Sequence, residues 1–362
     1  MLSIMKIIGL SATPLYAPRW LPYVDENGTA YSGSEGRAGV DGRPPDQNKR
    51  RRTYTDESRG GVVVIHTDSE HMGLGEVSTC WSPDAVEQCA CVVEVLAPVV
   101  IGVENPAAQI NKVVIAMDKL AGMEWSPAKA AVEMALMDLA GKQLGVPVCT
   151  LLGGAVRDRI ALSHSIGQAE PAQMAELARR KVAEGFCTVK LKVGESLTHD
   201  IERCAAVRAA IGPAVTMRVD ANGAWATVAE ALETIIAIQT ACDGYVRNCA
   251  TTFWLHQPHF SICLVLRAVL RCRIQCDRQL EIVEQPMPRA CLQEMAELRQ
   301  ALQGRALIMA DESCWEPLEC AELIKERSVD VVSVYVHESG RYTQPSGIPA
   351  SRCHCYAVAE SH

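Results

Sequence analysis

The chain has no apolar run of about 18 residues, so no transmembrane helix is expected. It has no surplus of positive charge. Its 35 Lys and Arg stand against 43 Asp and Glu, a net charge of −8, so no electrostatic argument favours nucleic acid or an anionic membrane as a partner. Its sixteen cysteines form no CxxC…CxxC array. Cys249, Cys263, Cys272 and Cys276 are too irregularly spaced for a zinc site, and the thiols read as buried or incidental. Gly153-Gly154 lacks the GxxxxGK[ST] context of a phosphate loop and reads as a turn. No small-residue cleavage site follows MLSIMKIIGLSATPLY, which reads as a first strand rather than a signal peptide; a cytoplasmic location is the expectation.

What is present suits a globular protein of one large or two moderate domains with ample core: 362 residues, 48% apolar and 22% charged. Residues 1–17 and 61–67 look like strands of a small N-terminal sheet. The stretch between them is a loop rich in Gly, Pro and charge, and its Lys49–Arg52 run is a solvated face. Residues 83–98 and 106–121 read as helices. A stronger helix begins at Ser126-Pro127, as N-cap and first helical proline, and stops at Gly145. This gives an α+β capping domain over 1–125 and a (β/α) barrel from 126 to 340.

The barrel shows itself by rhythm. Strands are expected at Ile160–Ser165, Thr188–Val193, Val215–Asp220, Glu281–Glu284, Leu307–Asp311 and Val329–Val336, with helices between them, one over Val228–Gln239. Charged residues end successive strands: Lys190 and Lys192 in TVKLKVG, Asp220 and Asn222 in MRVDANGAW, Glu284 in EIVEQP, Asp311 and Glu312 in IMADES. A parallel barrel presents its catalytic groups at these C-terminal strand ends. Two lysines facing three carboxylates imply a divalent metal and proton-abstraction chemistry. Ser163 and Ser165 share a strand face and His164 points away, which makes Ser165 a candidate substrate contact. His337 reads as a loop residue.

Two stretches break the rhythm. Lys192 to Asp220 spans 28 residues and Glu284 to Asp311 spans 27, but Asp220 to Glu284 spans 64. Residues 241–278 account for the surplus; they hold two of the three Phe, five Cys, five Arg and no Lys. They are either a structured insertion or translated non-coding sequence. The tail, 341–362, shows no helix period and no further strand, so the barrel is expected to be truncated after its sixth strand. An incomplete ring leaves open edges and low stability.

With KLK, DAN, EQP and ADES in this order, the chain resembles the enolase superfamily, in the mandelate racemase/muconate-lactonizing-enzyme family, over residues 1–240 and 279–340. The resemblance implies Mg²⁺ held by Asp220, Glu284 and Asp311, with a proton α to a substrate carboxylate removed to give an enediolate. It implies Lys192 as the base, Lys190 beside it, and Asn222 and Glu312 supporting the ligands. The family usually carries a second lysine at the end of the sixth strand; Tyr335 stands there in this chain. That favours one-base chemistry, such as a syn elimination of water like that of a cis-3-hydroxy-L-proline dehydratase, over cycloisomerisation or epimerisation. A non-catalytic product of a faulty gene is the competing expectation. The resemblance also implies a small carboxylate substrate and a homo-oligomer.

Overall fold

The computed structural model describes residues 5–15, 23–24, 30–31, 60–78, 85–155, 157–254, 280–315, 317–333 and 360–361. Among them one compact unit ends at Asp158 and a second begins at Arg159.

In the first unit, β1 (Ile7–Leu15) is followed by the short antiparallel pair β2 (Tyr23–Val24) and β3 (Ala30–Tyr31), then by β4 (Gly60–Thr67) and β5 (Met72–Ser78). β1, β4 and β5 form an antiparallel sheet in that order. Alternation in GGVVVIHT turns Val63 and Ile65 into the core, beside Ile7, Leu96, Leu136 and Leu139. The helices are α1 (Ala85–Cys91), which runs through a π turn into α2 (Ala97–Val100), then α3 (Ile110–Leu120), α4 (Ser126–Leu144) and α5 (Val148–Leu151).

The sequence did not reveal β5, because MGLGEVS is glycine-rich where a strand normally carries branched side chains. The packing explains the glycines: a Cβ at Gly75 would collide with the carbonyl oxygen of Ala131, and one at Gly73 with that of Ala135, both on α4. The helix backbone lies directly on the strand. Gly75→Ala is therefore expected to cost about 1–3 kcal/mol or more through overpacking. Urea denaturation checks it, and an unchanged midpoint would refute the close approach.

The same contact bears on the expected boundary at 125. α4 packs on β5 in the first unit, not in the barrel; the strand it covers was the one hidden in the sequence. Ser126 is also not its N-cap. A 3-10 turn over Met123–Trp125 runs straight into the helix, so Trp125 takes the cap position without a side-chain bond. Gly145 does end it, in the left-handed conformation at φ 68°.

The second unit alternates β6 (Ser163–Ile166), α6 (Pro171–Ala183), β7 (Thr188–Lys192), α7 (Leu197–Ile211), β8 (Thr216–Asp220), α8 (Val228–Trp254), β9 (Ile282–Glu284), α9 (Leu292–Leu302), β10 (Leu307–Ala310), α10 (Pro317–Glu326) and β11 (Val331–Val332). The strands pair in parallel and in sequential order, as in a (β/α) barrel. The tail is corrected: Glu360–Ser361 forms β12, parallel to β6. Among the described residues no pairing joins β11 to β12, so the sheet is not closed. α8 also runs on to Trp254, past its expected end at Gln239; residues 255–279 lie outside the described residues.

Alternation sorts the strand residues onto two faces. Val189, Leu191, Met217, Val219, Val283 and Ile308 pack against helix residues such as Ala178, Val207, Ile235 and Leu298. On the other face Ile282, Met309 and Val331 form a small apolar cluster. The register adds Lys190, Lys192, Asp220 and Glu284 to that second face.

Candidate active site

Backbone hydrogen bonds fix the heights of the strand ends. Val193 N donates to Asp220 O at 2.9 Å, Ala221 N to Glu284 O at 3.1 Å and Gln285 N to Met309 O at 2.8 Å. Lys192, Asp220 and Glu284 stand at one level of the sheet, and Asp311 follows β10, whose Met309 is in register with Glu284.

The side chains there form a buried ionic cluster. Lys190 Nζ lies 3.0 Å from Glu284 Oε1 and 3.3 Å from Asp220 Oδ2. Lys192 also pairs with Asp220 Oδ2 and donates to Asn222 Oδ1 at 3.0 Å. Burial opposes ionisation of Asp220. The ammonium groups of Lys192 and Lys190, with hydrogen bonds from Lys192 and from the Asn222 backbone, outweigh it and hold the carboxyl below the usual range. The two lysines differ in access: the Lys192 side chain is 26% exposed, that of Lys190 only 2%.

The DANG turn positions Asn222. Its backbone N–H donates to Asp220 Oδ1 at 2.9 Å, in a left-handed conformation (φ 46°) that asparagine tolerates. Its Nδ2 donates to Glu312 Oε1 at 2.9 Å. Burial, reinforced by the Asp220 charge, pushes the Glu312 carboxyl up. Ser165 stands in register with Lys190. Tyr335 and His337 lie outside the described residues.

Two features of this end of the sheet went unread in the sequence. Asp200 Oδ2 accepts from Gly194 N at 2.8 Å. Arg203 Nε donates to Ala169 O at 2.8 Å, and its NH1 pairs with Glu195. Together they pin the loop that follows Lys192. The second is Gln285 in EQP, buried between β9 and β10. No spacing rule exposes either, since both act by bridging loops distant in sequence.

Among the described residues no three Asp, Glu, His or Cys side chains converge tightly enough, as they stand, to enclose one ion. The donor chemistry nevertheless fits a hard divalent cation. Asp220, Glu284 and Asp311 are buried carboxylates at adjacent strand ends, and Glu312 Oε2 is buried with no hydrogen-bond partner among the described residues. Asp220 and Glu284 pair with Lys190, and Asp220 also with Lys192; a set of four carboxylates at adjacent strand ends suits Mg²⁺.

Comparisons with known proteins identify the family. The enolase C-terminal domain-like family matches residues 173–243 and 265–346, and the mandelate racemase/muconate lactonizing enzyme N-terminal domain matches 49–153. The chain belongs to the mandelate racemase/muconate lactonizing enzyme family. The family match omits residues 244–264, inside the stretch whose composition is foreign to the rest. A hydrophobic dipeptide epimerase of Enterococcus faecalis is 29% identical over 300 residues, covering 81% of this chain and 72% of that protein. A cis-3-hydroxy-L-proline dehydratase of Roseibium aggregatum is 34% identical over 198 residues, covering 53% and 52%. The solved structure of a dipeptide epimerase from E. faecalis, complexed with Mg and the dipeptide L-Leu-L-Tyr, superposes with a TM-score of 0.65 at 26% identity over 93% of this chain and 76% of that one. The relatives are named as epimerases, cycloisomerases, a racemase and a dehydratase, so the family is one of lyases and isomerases. Among the described residues no helix is long and apolar enough to cross a membrane.

Proposed function

We propose that this chain removes the proton α to the carboxylate of a small molecule, with Lys192 as the base and Asp220, Glu284 and Asp311 as the ligands of a Mg²⁺. The observation that carries the reading is the unequal access of the two lysines: Lys192 is at the rim of the carboxylate cluster and Lys190 is sealed beneath it. A base must reach the proton it takes. Lys190 is then a fixed counter-charge. Bound Mg²⁺ supplies positive charge that draws electron density into the substrate carboxylate and acidifies the neighbouring carbon. Asn222 aims the Lys192 amine, and Glu312 holds Asn222. Ser165, level with Lys190, lines the β6 side as a substrate contact. The Mg-bound dipeptide complex of the E. faecalis enzyme supports the metal and the carboxylate substrate.

The course after proton removal follows from Tyr335. With a usual pKa of about 10, a phenol is a poor second base. One-base chemistry breaks the Cα–H and Cβ–O bonds, forms a Cα=Cβ double bond and returns the proton taken by Lys192 to the departing hydroxyl, which leaves as water, as for a hydroxy acid or a hydroxy-amino acid such as cis-3-hydroxyproline; the dehydratase relative supports it. A second reading, epimerisation of a dipeptide, is favoured by the longer match to the dipeptide epimerase.

Incubation in D₂O with Mg²⁺, a dipeptide panel and cis-3-hydroxy-L-proline, followed by NMR, tests both. Loss of water supports the first reading. Deuterium at an inverted α-carbon supports the second. Absence of exchange and of elimination across the panel would sink them together.

A further inference from the structure

The two candidate ligands Glu284 and Asp311 come from different strands, so their spacing has to be set by something rigid. β9 and β10 stop pairing at Glu284 and Met309, short of Asp311. One side chain continues the connection. Gln285 is fully buried, and its backbone is held at φ 35°, a conformation side-chain-bearing residues rarely adopt. Its Oε1 accepts from Asp311 N at 2.9 Å and from Ser313 N at 3.1 Å. Its Nε2 donates to Met287 O at 2.8 Å and to Ser313 Oγ at 2.7 Å. The amide thus makes four hydrogen bonds, its full capacity.

The main chain of Gln285 adds two more. Its N–H donates to Met309 O at 2.8 Å and its carbonyl accepts from Gly223 N at 2.7 Å, in the loop after β8. One residue is therefore bonded to the strand ends that carry Asp220, Glu284 and Asp311. Hydrogen-bonded groups behind metal ligands fix ligand orientation and tune affinity.

We infer that Gln285 is a positioning residue: it sets the separation of Asp311 from Glu284 and thereby the affinity of the site for a divalent cation. This rests on the metal centre proposed above. Gln285 touches no substrate and needs no charge of its own. An amide serves where a glutamate would not, because it satisfies two N–H donors and two acceptors at once without adding a buried charge.

The test is calorimetric titration of the full chain with MgCl₂ alone, alongside circular dichroism of urea unfolding. Gln285→Met keeps the length of the side chain and removes its hydrogen bonds. Folded Gln285→Met protein is expected to bind Mg²⁺ about 10–100-fold more weakly than the unsubstituted chain. Ser313→Ala leaves Oε1 on Asp311 N, so it is expected to lower stability with Mg²⁺ affinity changed by less than about threefold. Should Gln285→Met fail to fold, Gln285→Asn, whose amide is one methylene too short to span the gap, is held to the same standard. Affinity within threefold of the unsubstituted chain in the folded Gln285 variant overturns the inference and leaves the metal centre standing. So does equal weakening by Ser313→Ala. An unsubstituted chain that binds no Mg²⁺ overturns the metal centre, and the inference with it.

Discussion

Lys190→Met is expected to destabilise the protein by about 3–5 kcal/mol, the cost of leaving a buried charge without its partner. Lys190 Nζ stands between Asp220 and Glu284, both buried, and methionine fills similar volume without the charge. Against a domain stability of about 5–15 kcal/mol the loss is large, and urea denaturation reads it directly. The pH dependence has a definite sign. Asp220 titrates below its ordinary value of 3.8, so the stability its pairing contributes is present at neutral pH and lost as pH falls through the depressed value. The gap between the unsubstituted chain and Lys190→Met should therefore narrow in acid. Millimolar Mg²⁺ should recover part of the loss at neutral pH by supplying positive charge to the same carboxylates. A variant within about 1 kcal/mol of the unsubstituted chain at pH 7 would mean that Lys190 is not the counter-charge of the cluster.

That cluster was legible in the sequence because its grammar is local. Each of Lys192, Asp220, Glu284 and Asp311 closes a short apolar run, and parallel strands place such ends on one rim; the observed register sets Lys192 beside Asp220 and Asp220 beside Glu284. What the sequence concealed depends on distant partners. The glycines of β5 make sense only once α4 lies on them, and the ownership of α4 was hidden with that strand. Gln285 shows no pattern, since its four acceptors and donors come from Met287, Asp311 and Ser313. The different roles of the two lysines were also invisible: KLK gives them one face but says nothing of depth, which β6, β8 and β9 set from either side. The odd composition of 241–278 was legible as an interruption, and the family match breaks off between Asp243 and Val265. The helical continuation of α8 to Trp254 was not, because VRNCATTFW carries little helical period.

Lys192→Ala is expected to abolish α-proton exchange on any substrate the chain accepts, a loss of at least about 10²–10⁴-fold for removing a general base. The substitution discriminates because Lys192 is partly exposed and Lys190 remains to neutralise Asp220 and Glu284. Folding should survive. Mg²⁺ should bind as tightly or more tightly, because one positive charge beside Asp220 is gone. Exchange lost while metal binding persists is the signature of a base rather than of a structural cation. Asn222→Ala offers a graded comparison: it removes the oxygen that holds Lys192 Nζ at 3.0 Å but leaves the amine. It should lower the exchange rate less than Lys192→Ala does. Deuterium exchange followed by NMR, with calorimetric titration of Mg²⁺ in parallel, reads all three proteins. Were Lys192→Ala to exchange as fast as the unsubstituted chain, the proton would be leaving to another group. The sealed Lys190 is the poorer candidate on access, so Tyr335 would become the residue to substitute next.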